Sequence, residues 1–159
     1  QHPYILASYL WNTFDFAVPM WKRGGVDARN MKGLITFDRK TRKDSFYWYK
    51  ANWSKEPVLY LTQRRNTERE RKETSVTVYS NLGTPRVYLN GQELEGIRKG
   101  YTDVHYVFDK VTLAEGRNVL KAVITSDGKE YTDEIVWNYN GDRVRQADSY
   151  EHKKEHAGW

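Results

Sequence analysis

Asp15, Asp27 and Asp38 are the only carboxylates among the first forty residues, and the first glutamate in the chain is Glu56. Hydrolysis by paired acids needs one carboxyl group to give and take a proton and a second, about 5 Å away, to attack or to activate water. Three widely spaced aspartates supply neither the count nor the spacing for such a pair. His152 and His156 stand four apart, as a helical metal pair would, but two imidazoles leave a zinc site incomplete. The sequence has no phosphate-cradling glycine loop, nucleophile triad or complete metal cluster, so no cofactor is expected. The chemistry that remains is recognition: six Trp and twelve Tyr suit strands, interfaces or platforms for sugar rings.

Such side chains need a scaffold, and length bounds it. A chain of 159 residues holds one ordinary domain and a smaller module, but falls short of a complete β/α barrel of roughly 250 residues. Net charge is +5 from 26 basic and 21 acidic residues, interspersed along the chain, so no nucleic-acid partner is expected. Cysteine is absent, which excludes disulfides and thiolate metal sites and leaves stability to packing. No run approaches the roughly 20 apolar residues of a membrane span, so no membrane partner is expected, and Gln1-His2-Pro3 does not open a secretion signal.

Three regions follow from the patterning. The first, residues 1–53, opens with Tyr4-Ile5-Leu6-Ala7-Ser8-Tyr9-Leu10-Trp11, an apolar run that predicts a strand buried on both faces. Val18 to Gly33 is a Gly-rich, basic loop; Leu34-Ile35-Thr36-Phe37 follows, and Asp44 is predicted to cap a short helix carrying Phe46, Tyr49 and Trp53 at helical spacing. One such strand and one helix cannot close a barrel, so this region is expected to be a barrel remnant.

The second region, 54–140, predicts an antiparallel sandwich of about seven short strands: Val58-Gln63, Ser75-Ser80, Arg86-Leu89, Gln92-Arg98, Val104-Phe108, Asn118-Thr125 and Glu130-Trp137. Asn90-Gly91 and Asp127-Gly128 predict two-residue hairpin turns. Alternation at Val76/Val78, Val87/Leu89, Leu120/Ala122/Ile124 and Ile135/Trp137 predicts the buried faces. Arg64 to Glu73, without an apolar residue, is expected to be a solvated loop or ribbon. The third region, 141–159, is expected to be a charged, flexible tail.

The segments Trp11-Asn12-Thr13-Phe14-Asp15-Phe16, Asn30-Met31-Lys32-Gly33-Leu34, Asp38-Arg39-Lys40 and Lys43-Asp44-Ser45-Phe46-Tyr47-Trp48-Tyr49-Lys50-Ala51-Asn52-Trp53 resemble, in that order, glycoside hydrolase family 2, the β-galactosidase and β-glucuronidase family. Val87-Tyr88-Leu89-Asn90-Gly91 and Leu113-Ala114-Glu115-Gly116-Arg117-Asn118 resemble turns of the immunoglobulin-like domain that follows its catalytic barrel. The resemblance implies the end of a TIM barrel plus an immunoglobulin-like antiparallel sandwich, from a β-galactosidase-like parent that is periplasmic or secreted.

It further implies that Trp11 floors a sugar subsite at the carboxyl end of the last barrel strand, with Asp15 at the same mouth. Asn30 and Lys32 match the Asn-x-Lys pair with which β-glucuronidases grip a substrate carboxylate, so an acidic sugar is the alternative substrate. Both catalytic glutamates of the family lie on earlier strands, so no catalytic residue is expected here, and carbohydrate is a partner only within the parent. A carbohydrate-binding role for the sandwich, through Tyr60, Tyr79, Tyr88 or Tyr101, is the competing reading, and protein–protein adhesion a third. Barrel-facing aromatics left uncovered, Phe14, Phe16, Trp21 and Trp48, are expected to pack on the sandwich or drive self-association.

Overall fold

Alternating residues in the second half of the chain put one apolar row on each strand, and two such faces must meet. The computed structural model, which describes residues 9–21 and 26–143, shows them meeting as two sheets. The expected strand at Tyr4–Ser8 and the tail beyond Arg143, with His152 and His156, lie outside the described residues. The end of that strand, Tyr9 to Trp11, is irregular, with Tyr9 and Trp11 exposed.

The elements are β1 (Phe16–Ala17), β2 (Arg29–Asn30), α1 (Asp44–Trp53), β3 (Leu59–Leu61), β4 (Glu68–Arg69), β5 (Glu73–Ser80), β6 (Arg86–Leu89), β7 (Gln92–Glu93), β8 (Ile97–Lys99), β9 (His105–Thr112), β10 (Gly116–Ser126) and β11 (Lys129–Tyr139). The fold is mainly β. One sheet runs β4-β11-β10-β6-β7 and the other β3-β5-β9-β8. Every pairing in them is antiparallel except β4 with β11. Between the sheets lie Leu61, Val76, Val78 and Phe108 from one side and Val87, Leu120, Ala122, Ile135 and Trp137 from the other. Ile124, at the end of the β10 row, is only partly buried.

Among the described residues these sheets hold nine strands, against about seven expected, and two local causes account for the difference. Gln92-Arg98, expected as one strand, divides. β7 completes a hairpin with β6, whereas β8 joins β9 in the opposite sheet. Leu94 and Ile97 pack on the core on either side of Gly96, whose φ of +77° permits the change of direction that carries the chain across. The second cause is β4, which lies in the charged run expected to be only solvated. There the Arg69 guanidinium lies 4.3 Å from the Trp137 ring centre and donates to Gln63 Oε1 and Thr74 Oγ1, both at 2.6 Å. Burial holds its pKa below the usual guanidinium value. A charge run can close a core when one member is an Arg over an aromatic ring.

The two hairpin turns form as expected. Asn90 and Gly91 have φ of 51° and 86°, Asp127 and Gly128 of 50° and 73°, and the flanking pairs are Leu89 with Gln92 and Ser126 with Lys129. Asn90 does more than turn the chain: its Oδ1 accepts from Val119 N at 2.8 Å. Its amide nitrogen donates to Oδ1 of Asn118 at 3.2 Å. Asn118 is fully buried and satisfied, accepting from Ala114 N and donating to the Ala114 and Gly116 carbonyls.

Helix α1 forms a third layer on the outer face of the four-stranded sheet. Ala51, Val58 and Tyr60 are buried there with Tyr47, Tyr79 and Val104 against them. Tyr47 stacks on Tyr60 at 3.8 Å, and Trp48 sets its ring edgewise to Tyr79 and His105. Asp44 does not cap the helix. The N-cap is Lys43, with no side-chain cap bond. The Asp44 carboxylate instead accepts from the Tyr60 hydroxyl and from Gln63 N, each at 2.7 Å. Two donors, one on β3 and one just past its end, compete for it and win, which ties the helix start to β3. Burial, and then the bond to Asp44, push the Tyr60 phenol well above its ordinary pKa.

One side of the sandwich carries a seam. Strand β4 pairs only with Asn138 and Tyr139 of β11. Farther along, Asp133 Oδ2 accepts from Leu61 N of β3 at 2.7 Å and pairs with Arg64. Arg64 also lies over the Tyr60 ring.

Candidate functional site

The segment that holds the four candidate binding residues is organised from within by Asp15. Strand β1 pairs Phe16 with Asn30 and Ala17 with Arg29 in β2, and single bridges join Phe14 to Ile35 and Ile35 to Arg42. Asp15 is 3% exposed. Its N–H donates to the Ile35 carbonyl at 3.0 Å, and its Oδ1 accepts from Gly33 N at 3.0 Å and from Lys43 Nζ at 2.6 Å. Lys43 Nζ also donates to the Met31 carbonyl at 2.9 Å. The Asp15 carbonyl accepts from Arg39 Nη1 at 3.1 Å, while the Arg39 guanidinium lies 4.0 Å from the Phe14 ring centre. A buried carboxylate needs such a set of donors, because an unpaired charge away from water is costly.

Gly33 is required by the same cluster. A Cβ there would stand 2.1 Å from both Asp15 N and Phe14 C, inside backbone that cannot swing aside. Gly33→Ala is therefore expected to destabilise this segment by at least the 1–3 kcal/mol or so typical of overpacking. The readout is faster amide exchange across 12–43; unchanged exchange there would show that the close approach does not hold in solution.

The other three candidates lie nearer the surface. Asn30 is 7% exposed, and its Oδ1 accepts from the backbone N–H of Lys32 at 3.0 Å, which fixes the amide face. Its amide nitrogen has no partner among the described residues. Lys32 is exposed, and its ammonium makes no ion pair among those residues. Trp11 is 72% exposed, follows into a cis peptide with Asn12, and sets its ring edgewise to Phe16 at 6.4 Å. Because Phe16 is the β partner of Asn30, Trp11, Asn30 and Lys32 gather around one small ribbon. Asp15 lies behind it as the anchor.

Other chemistry is sparse. Asp38 accepts from Thr36 Oγ1 and Lys40 N, bonds that hold its carboxyl below the usual range. Among the described residues no group of three His, Asp or Glu could hold a metal. Of the four tyrosines considered for sugar stacking, Tyr60 and Tyr79 lie beneath α1 and Arg86 covers Tyr88. Tyr101 is 92% exposed. On the far side of α1, Leu34, Arg42, Phe46, Tyr49 and Trp53 line an open groove of about 590 Å³, and Trp53 is 70% exposed.

Sequence reasoning did not single out Lys43, Gly33 or Arg39. Lys43 and Asp15 are 28 residues apart, and no local periodicity links positions at that distance.

No family model matches the chain. A β-glucuronidase of Bacteroides fragilis is 37% identical over 144 residues, covering 90% of this chain and 20% of that protein. A protein of Formosa agariphila, provisionally assigned as a β-glucuronidase, is 34% identical over 81% of this chain and 16% of its own length. A crystal structure from Bacteroides fragilis, provisionally assigned as a β-galactosidase, superposes with a TM-score of 0.89 at 77% identity, covering 93% of this chain and 22% of that one. The matches thus run across 81–93% of the chain while taking in 16–22% of each relative, so the chain is similar to a segment about a fifth the length of these β-glucuronidase- and β-galactosidase-like proteins.

Proposed function

We propose that the chain is the non-catalytic C-terminal segment of a retaining β-glycosidase, of β-galactosidase-like type, which braces the catalytic barrel and extends the rim of its substrate cleft. The observation that carries this reading is an unbroken line of contacts. Trp11, Asn30 and Lys32 sit on a ribbon held by Asp15; Asp15 is held by Lys43, the N-cap of α1; and Asp44, the next residue, is bonded to β3 of the sandwich. In this reading residues 1–53 belong to the barrel, 54–140 form an immunoglobulin-like brace and 141–159 a tail. The stripe Phe46, Tyr49 and Trp53 is laid against the rest of the enzyme; in the isolated chain it favours self-association.

A second reading concerns the sugar. With Asn30 Oδ1 occupied by Lys32 N, what the pair has left to offer is an amide N–H and an ammonium, both donors. Two donors suit a carboxylate better than a neutral hydroxymethyl group. This favours a β-glucuronide as substrate of the parent.

One set of assays tests both. The isolated chain is expected to turn over neither a chromogenic β-galactoside nor a β-glucuronide, since Asp15 is buried and neutralised by Lys43; a robust rate abolished by Asp15→Asn would overturn the non-catalytic reading. In the full-length enzyme, Lys32→Ala is expected to lower kcat/KM for a β-glucuronide by about 10- to 100-fold, the worth of a charged hydrogen bond. An unchanged glucuronide rate would leave the galactoside reading standing alone.

A further inference from the structure

His105 opens β9 and is 9% exposed. It holds the turn formed by residues 100–104 at three points. Its carbonyl accepts from Gly100 N at 2.7 Å, its N–H donates to the Thr102 carbonyl at 3.1 Å, and its ring Nδ1 accepts from Tyr101 N at 3.0 Å. The last bond fixes the tautomer: with Nδ1 an acceptor, the ring proton must sit on Nε2.

The ring is enclosed by aromatic side chains from separate elements. Trp48 of α1 lies edgewise at 5.2 Å, Tyr79 of β5 at 5.7 Å, and Tyr101 tilts over it at 5.7 Å. Gly100 lies so close that a Cβ there would stand 2.1 Å from Nδ1. His105 is therefore the point where α1, the second sheet and the turn all touch.

We propose that His105 is an acid-sensitive latch, which when neutral pins the 100–104 turn and seats Trp48 of α1 on the sheet, and when protonated releases both. A proton on Nδ1 would face the N–H of Tyr101, replacing a bond by two opposed donors. The charged ring would lie in a site where, among the described residues, no carboxylate reaches ion-pair distance. The titratable and charged groups on the packed elements do not offset this. Tyr79 is a partly buried phenol; on α1, Asp44 is bonded to Tyr60 and Gln63 N and Lys50 is paired with Glu56; Arg98 of β8 is cationic and occupied by Asp109, and Lys99 of β8 is paired with Asp103 in the turn. The aromatic rings would attract an imidazolium, but cannot restore the lost turn bond.

Burial first, and then the charge of Arg98, holds the His105 pKa below its ordinary value. The sign follows from linkage. A base with a lowered folded-state pKa binds fewer protons folded than unfolded. Its contribution to stability is complete above the unfolded value of about 6.5 and declines as pH falls through the window between the two. Each unit of separation is a factor of ten in the folding equilibrium.

The test is a titration of the full chain by nuclear magnetic resonance, following the His105 ring and the Tyr101 amide, beside thermal unfolding at pH 7.5 and 5.0 for wild type and His105→Asn. The Asn Oδ1 stands in for Nδ1 and cannot be protonated in this range. The expected result is a His105 pKa below the ordinary value, loss of Tyr101 amide protection as the ring titrates, and a fall in Tm on acidification that is smaller in His105→Asn. A His105 pKa at or above the ordinary value, or Tyr101 protection that is indifferent to the titration, would overturn the proposal. Should His105→Asn fail to fold, the wild-type titration alone decides.

Discussion

Trp137→Ala is expected to lower the unfolding free energy by about 3–5 kcal/mol, the range for deleting a buried large aromatic side chain. Typical domains have only about 5–15 kcal/mol in total, so much of the population would unfold. Trp137 is 1% exposed and is the largest of the fully buried side chains. Its loss opens a cavity between the sheets and removes the ring beneath the half-buried Arg69 guanidinium. Trp137→Phe is the control: it keeps a ring under Arg69 and discards an indole N–H that has no hydrogen-bond partner among the described residues. Urea unfolding followed by circular dichroism should show a much smaller loss for Phe than for Ala. A loss under about 1 kcal/mol for Trp137→Ala would refute the placement of the core.

The second large effect is expected at the ion pair of Asp15 and Lys43, whose side chains are 5% and 17% exposed. Removing one partner of a buried pair leaves the other unpaired and costs about 3–5 kcal/mol. Lys43→Met should therefore loosen residues 12–43, read as faster amide exchange and early proteolytic cleavage there. The unfolding midpoint of the sandwich should move less, because its core shares no side chain with this cluster. Asp15→Leu combined with Lys43→Met should recover part of the loss, since an apolar pair of similar volume leaves no stranded charge. If Lys43→Met leaves exchange in 12–43 unchanged, the segment is held by something other than this pair.

The sandwich was legible because its information is local. Period-two alternation marks Val76, Val78, Leu120 and Ala122 as inward, and Asn-Gly and Asp-Gly can supply the left-handed backbone that a two-residue hairpin needs. The division at Leu94–Gly96 was not legible. A single Gly inside a strand-like run fits a continuous strand with a bulge as well as it fits a crossing between sheets, and only tertiary contact separates them. Asp44 misled for a related reason. It has the right type and place for a cap, yet Tyr60 and Gln63, which outbid the helix N–H groups, lie 16 and 19 residues away. Trp11, Asn30 and Lys32 could be picked out by resemblance, whereas the residues that hold their ribbon together act across distances that no pattern of spacing records.

The seam along β3 and β11 bears on how the molecule behaves at high concentration. Sheet margins with idle amides and carbonyls recruit strands from other chains, the first step toward cross-β polymers. Here Leu61 N, which would otherwise stand open on the margin of β3, is occupied by Asp133, and the Arg64 guanidinium lies across the same gap. An incoming strand would have to displace an ion pair and strand both charges before gaining its first bond, so lateral polymerisation on that flank meets an electrostatic barrier.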